Sequence, residues 1–188
     1  MQPMPTEQFH TIMATLVDSV RTHTVAERME HVALSLGMIL RDGEDDLTID
    51  AAVIGDVEHR HALFRAVGRR YGRERKNVCA AIMVEEAWMA PYGSQEEIDD
   101  GPLPSERADK EEVVVVAGNV LGEPVTLILL RIERDPAGII TDLVQMGPAD
   151  VRVGASYLLS EFWDGYIAGR LRAEPVVHMI NRLWTHRN

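Results

Sequence analysis

Two adjacent carboxylates, Glu85 and Glu86, follow a run of apolar residues. Successive side chains of a strand point to opposite faces of a sheet, so we expect one carboxylate on each face. A carboxylate that enters an apolar layer has a raised pKa unless a cation compensates it, and raised pKa values are typical of acid–base catalysts. The alternatives are a structural ion pair with Arg60, Arg131 or Arg134, or emergence of the strand into solvent.

A second set of candidate residues is basic. Four cations recur at spacings of four, four and three residues, which places them on one face of a helix: Arg65, Arg69, Arg73 and Lys76. Such a stripe can follow the phosphates of a nucleic acid. The net charge is −11, however, and the acidic blocks 42–58 and 96–112 can neutralise the stripe. Nucleic-acid binding through the basic helix 59–76 is therefore an alternative function, and nucleic acid is not the partner that we expect.

Other chemistries lack the residues that they need. His59 and His61 lie two apart, on opposite sides of a helix, and cannot share one metal ion. Cys79 is the single cysteine, which excludes an internal disulfide and a multi-cysteine zinc site, and its apolar surroundings are typical of an inert core thiol. The sequence has no P-loop, dinucleotide, nucleophile-elbow or zinc-protease motif. We predict no cofactor, no metal and no assigned catalytic residue.

One pair of motifs resembles a known family. The first predicted strand ends in Glu86-Ala87-Trp88-Met89, and the next is preceded by PSERADKEE at 104–112. This arrangement resembles an uncharacterised family of small bacterial and phage-encoded proteins, with Ala108 and Lys110 in place of a proline and an arginine. The resemblance covers about residues 78–119, implies no activity and implies that the two motifs are neighbours.

The two motifs supply a candidate recognition cluster made of Glu86, Trp88, Arg107, Lys110 and Glu111. The alternative is a loop pinned by cation–π packing on Trp88.

Composition favours an ordinary globular protein. Of 188 residues, 46% are hydrophobic and 26% are charged. The apolar runs are too short to cross a membrane, and the N-terminus lacks the features of a secretory signal. We expect one α+β domain over residues 1–188, located in the cytoplasm and not in a membrane.

The apolar pattern predicts helices at both ends of the chain. The first spans Thr6–His23, and a capping box at Thr24-Val25-Ala26-Glu27 begins a second helix that continues through Leu40. The acidic run 42–50 is then a loop, and a third helix runs from Asp56 to Arg73. Asp150 begins a C-terminal helix, and Pro175 begins a short last one.

The middle of the chain predicts a sheet. Four segments rich in Val and Ile are separated by turn residues: 77–90, 112–119, 124–134 and 139–146. They are expected to form a four-stranded antiparallel meander, covered on both faces because both faces are apolar. The predicted order is helical at 1–75, a sheet at 76–147 and helical at 148–188.

We expect a non-catalytic binding or assembly protein of bacterial or phage origin. A hydrolase-like enzyme that uses Glu86 as its acid–base group is the first alternative. The two apolar sheet faces and the apolar residues Trp163, Ile167 and Trp184 predict a homodimer, with another protein partner left open.

Overall fold

The computed structural model describes residues 4–42, 46–54, 59–91, 94, 97, 101–147 and 155–173. Its architecture is α+β. The elements in chain order are α1 (Thr6–Ala26), β1 (Ser35–Asp42), β2 (Asp46–Val53), α2 (Arg60–Arg73), β3 (Val78–Met89), a 3-10 turn (Pro104–Glu106), β4 (Glu111–Val120), β5 (Thr126–Arg134), β6 (Ile140–Gln145) and α3 (Ala155–Ala173).

The sheet has six strands in the order β2-β1-β3-β4-β5-β6, and all neighbours are antiparallel. The prediction of a four-stranded sheet is therefore wrong in strand number. The four strands expected from the sequence are consecutive neighbours, and the β1–β2 hairpin extends the sheet beyond β3. Residues 1–75 are accordingly not all helical.

The second predicted helix, Thr24–Leu40, is wrong. The helix α1 ends at Ala26, where Arg28 adopts a φ of 51° and the Met29 N–H donates to the Thr24 carbonyl at 3.1 Å. The chain then runs extended, so that Leu36 and Leu40 face one core and Ile39 the other. Pairing of β1 with both β2 and β3 outweighs the helical spacing of its apolar residues.

Two further boundaries differ from the prediction. The acidic run 42–50 was expected to be a loop, but its second half belongs to β2. The helix α2 begins at Arg60, and Asp56 lies outside the described residues. Asp150 and the predicted last helix from Pro175, with Trp184, also lie outside them.

The helices α2 and α3 pack side by side on one face of the sheet, over a core that includes Phe64 and Phe162. They lie very close together, because a Cβ added at Gly68 would lie 2.0 Å from the carbonyl oxygen of Phe162. The same close approach occurs at Gly165, where a Cβ would lie 2.1 Å from the carbonyl oxygen of Arg65. Only glycine permits this helix spacing.

The helix α1 packs on the opposite face, mainly against β4 and β6. Its apolar side buries Phe9, Met13 and Val17. Its ion pair between Arg21 and Asp142 of β6, at 2.8 Å, fixes it near that edge of the sheet.

Residues 27–34, the crossover segment, connect α1 to β1. The segment crosses the sheet from β6, where the Ile140 N–H donates to the Met29 carbonyl, to the β1–β2 side, where the Ile54 N–H donates to the Leu34 carbonyl. It therefore lies over the ends of β3, β4 and β5 on the same face as α1.

Trp163, one of the residues behind the homodimer prediction, is only 5% exposed. Its indole N–H donates to the Asn119 side-chain oxygen at 2.9 Å. Each sheet face is at least partly covered by helices of the same chain. These contacts account for apolar surface that the sequence assigned to a second subunit. None of the described helices has the length and apolar character needed to span a membrane.

Candidate functional site

The polar cluster lies under the crossover segment. It consists of Glu86 on β3, Glu112 on β4 and Arg134 on β5, together with His31 of the segment itself. The three strands leave the apolar core here, since Val84 and Val114 behind the cluster are buried whereas Glu86 and Glu112 are half-buried. The cluster is therefore partly shielded from water.

Both carboxylate oxygens of Glu86 are engaged. Oε2 accepts a hydrogen bond from the Val32 backbone N–H at 2.9 Å. Oε1 accepts one from Nη2 of Arg134 at 3.2 Å and lies 3.2 Å from Nδ1 of His31. The carboxylate thus joins the crossover segment to the sheet.

Arg134 also joins the crossover segment to the sheet, and all three of its guanidinium nitrogens donate hydrogen bonds. Nε donates to Glu112 at 2.6 Å, and Nη1 donates to the backbone carbonyls of Glu30 and Gly138. The hydrogen bond from Arg134 holds the pKa of Glu112 below its usual value of 4.5. One guanidinium therefore connects two strands, the crossover segment and the β5–β6 turn.

The structure brings together only part of the predicted recognition cluster. Trp88 lies opposite Glu112, and Nζ of Lys110 lies 4.5 Å from the centre of its ring. Trp88 and Glu86 point to the same face of β3, as alternate strand residues do. Arg107 instead binds Glu97 at 2.5 Å and Asp109 at 2.8 Å.

The remaining cluster member, Glu111, is exposed at the first residue of β4, opposite Met89. The two family-like motifs are neighbours through Trp88 and Lys110. Nζ of Lys110 also donates to the Ser105 carbonyl at 2.5 Å, which fixes the chain before β4.

Glu85 points to the other face of the sheet and binds Nη1 of Arg60 at 2.8 Å. Its side chain is 17% exposed, and burial raises its pKa above 4.5 although Arg60 lowers it. The raised pKa expected of a carboxylate in an apolar layer is therefore found at Glu85. Arg131, the other cation considered for these carboxylates, lies 3.4 Å from Glu133.

The predicted phosphate stripe lies on α2, but the cations differ in their surroundings. Arg65 binds Glu161 of α3 at 2.5 Å. Nε of Arg69 is buried and has no hydrogen-bond partner among the described residues. Arg73 is exposed at the last residue of the helix, and Lys76 is exposed three residues beyond it. The stripe is thus partly neutralised by α3.

No three His, Cys, Asp or Glu side chains within the described part of the chain are arranged to hold a metal ion. His59 and His61 are exposed at the start of α2. Cys79 is buried, its thiol donates to the Ile39 carbonyl at 3.2 Å, and burial raises its pKa. A raised thiol pKa disfavours the nucleophilic thiolate.

The sequence pattern predicts Arg134 as a partner for Glu86 but does not predict Glu112 or His31. Glu112 follows from strand pairing, since an antiparallel register that places Trp88 opposite Glu112 also brings Glu112 beside Glu86. His31 was assigned to a helix, and nothing in its local sequence indicates that it crosses the sheet.

Comparisons of this chain with family models, with curated proteins and with solved structures find no match.

Proposed function

We propose that the chain is a binding or assembly protein that has no catalytic activity. The observation that supports this most is that both carboxylate oxygens of Glu86, the acid–base candidate, accept hydrogen bonds within the fold. Glu86 accepts hydrogen bonds from Val32 and Arg134, and both donors belong to the framework of the fold. A general acid or base must reach the substrate with a free oxygen, and Glu86 has a structural task at each of its oxygens.

A surface suited to binding lies at the β2 side of the sheet. On the face that carries α1, Ile49 is 61% exposed and Val53 is 72% exposed. Because α1 packs over β4 and β6, it leaves this end of the sheet open. Exposed apolar residues grouped in this way are typical of interaction surfaces.

An acid–base enzyme is the alternative, and Glu85 is now its best residue because burial raises its pKa. Arg60, at 2.8 Å, argues against that role, since it gives Glu85 a structural partner.

An activity screen with matched variants separates the two functions. Wild type, Glu85→Gln and Glu86→Gln are tested on activated esters, phosphate esters and glycosides, and their urea unfolding is measured in parallel. We expect no turnover that either variant removes. Turnover that is abolished by one substitution while the urea midpoint stays unchanged would overturn the proposal.

A further inference from the structure

The strand β2 is the less protected edge of the sheet. Edge strands are usually blunted by lysine, proline, bulges or short length. The opposite edge, β6, follows this rule, because it has six residues, a register shift beside Arg134 and an ion pair at Asp142. In contrast, β2 has eight residues, pairs with β1 without a bulge and contains neither lysine nor proline, and its charged residues are Asp46 and Asp50.

We propose that β2 pairs with β2 of a second copy of this chain, in an antiparallel arrangement centred on Ala51. This inference rests on the proposed function, because it names the partner of the open end of the sheet. A two-fold axis perpendicular to the sheet keeps each face of β2 on the same side in both copies. Even-numbered residues therefore pair with even-numbered ones and odd with odd, so that one residue meets its own copy at the axis and defines the register.

The Ala51 register is self-complementary. It places Ile49 opposite Val53 of the second copy, and Val53 opposite Ile49, so that the two exposed apolar side chains of each β2 cover one another. Ala51 meets its own copy at the axis, between the two Ile49–Val53 pairs.

Charge is compatible with this register and excludes the one centred on Asp50. Asp50, which accepts a hydrogen bond from the Tyr71 hydroxyl, would lie opposite Ala52 of the second copy. The register centred on Asp50 would place two carboxylates directly opposite each other, which is destabilising. The register centred on Ile49 would leave both Val53 side chains beyond the paired strands.

The pairing also closes the assembly. Each copy uses its β2 edge once, which leaves only the two β6 edges at the ends of the joined sheet. An isologous two-fold contact of this kind gives a dimer and not a filament.

Sedimentation equilibrium at tens of micromolar protein tests the interface. We expect a species of twice the 21.0 kDa chain mass. Val53→Lys should raise the dimer dissociation constant at least about tenfold, because it places an ammonium group against Ile49 of the second copy. The matched control is Ile167→Lys on α3, which changes a 44% exposed apolar residue far from β2 and should leave the dimer intact.

A cysteine cross-link tests the register. Residues directly opposite in antiparallel strands have Cα atoms about 4.5–5.5 Å apart, within the range of a disulfide. Mild oxidation should therefore link two Ala51→Cys chains, whereas wild type, with only the buried Cys79, should stay unlinked.

Three results would overturn the inference: a 21.0 kDa monomer of the wild type, a dimer that Val53→Lys does not weaken, or cross-linking through Ile49→Cys in place of Ala51→Cys. A monomeric wild type would refute the self-pairing alone. Only turnover that depends on Glu85 or Glu86 would refute the proposed function, so the two failures are distinguishable.

Discussion

Nη2 of Arg134 lies 3.2 Å from Oε1 of Glu86, across the two strand boundaries that separate β5 from β3. The contact is one of several through which Arg134 and Glu86 hold the crossover segment, by way of the Glu30 carbonyl and the Val32 N–H. Glu86, the acid–base candidate of the sequence, therefore fixes the chain between α1 and β1 together with Arg134.

Ionisation of Glu85 and of Glu112 should change the stability of the fold in opposite directions. Burial raises the pKa of Glu85 above 4.5, so ionising it costs stability, and this cost appears as pH rises from 4.5 through the folded-state pKa. Glu85→Gln should therefore match wild type below pH 4.5 and be as stable or more stable near neutral pH. Arg60, at 36% exposure, can then be solvated.

Urea unfolding of wild type and Glu85→Gln from acidic to neutral pH measures this difference. The contribution of Glu112 to stability changes with pH in the opposite direction. Its lowered pKa gives stability that is present above pH 4.5 and is lost as pH falls through the folded-state pKa. Because Glu112 is present in both proteins, its contribution to the free energy of unfolding cancels in the comparison. A large loss for Glu85→Gln at neutral pH would show that the ion pair with Arg60 outweighs burial.

Gly68→Ala should destabilise the protein by more than about 2 kcal/mol, because its Cβ would lie 2.0 Å from the Phe162 carbonyl oxygen and force α2 and α3 apart. Gly147→Ala is the matched control, since nothing lies within 4 Å of its added Cβ. Thermal or urea unfolding provides the readout. Equal stability of the two variants would refute the close helix pairing.

Nucleic-acid binding through α2 should be absent. Arg65 is neutralised by Glu161, and the net charge of −11 repels phosphates. We expect no retardation of duplex or single-stranded DNA in gel-shift assays at low salt. Retardation that disappears when Arg69→Glu and Arg73→Glu are combined would contradict this and restore the phosphate stripe.

The sequence pattern predicts α1 and the strands β3–β6 well, because long amphipathic helices and Val-rich strands carry strong local signals. It fails at β1, where the spacing of Leu36 and Leu40 fits a helix as well as a strand. Asp42-Gly43, between apolar runs, is a hairpin signal that would have corrected the prediction.

The polar cluster was harder to predict for a physical reason. The alternation of side chains along β3 predicts that Glu86 and Trp88 share one face of the sheet. The position of Lys110 directly before β4 predicts that it lies near Trp88. The contact of Glu86 with Val32 depends on the path of the crossover segment over the sheet, which is set by tertiary packing and not by local sequence.

A double-mutant cycle on Glu86 and Arg134 measures whether this ion pair stabilises the fold. Glu86→Gln, Arg134→Met and the double variant are compared by urea unfolding at neutral pH. We predict a loss of about 2 kcal/mol for Glu86→Gln and a coupling energy of about 1–3 kcal/mol. The control cycle of Glu86→Gln with Arg131→Met, on the same strand but 48% exposed, should be additive. A neutral Glu86→Gln with no coupling to Arg134 would contradict the structural role.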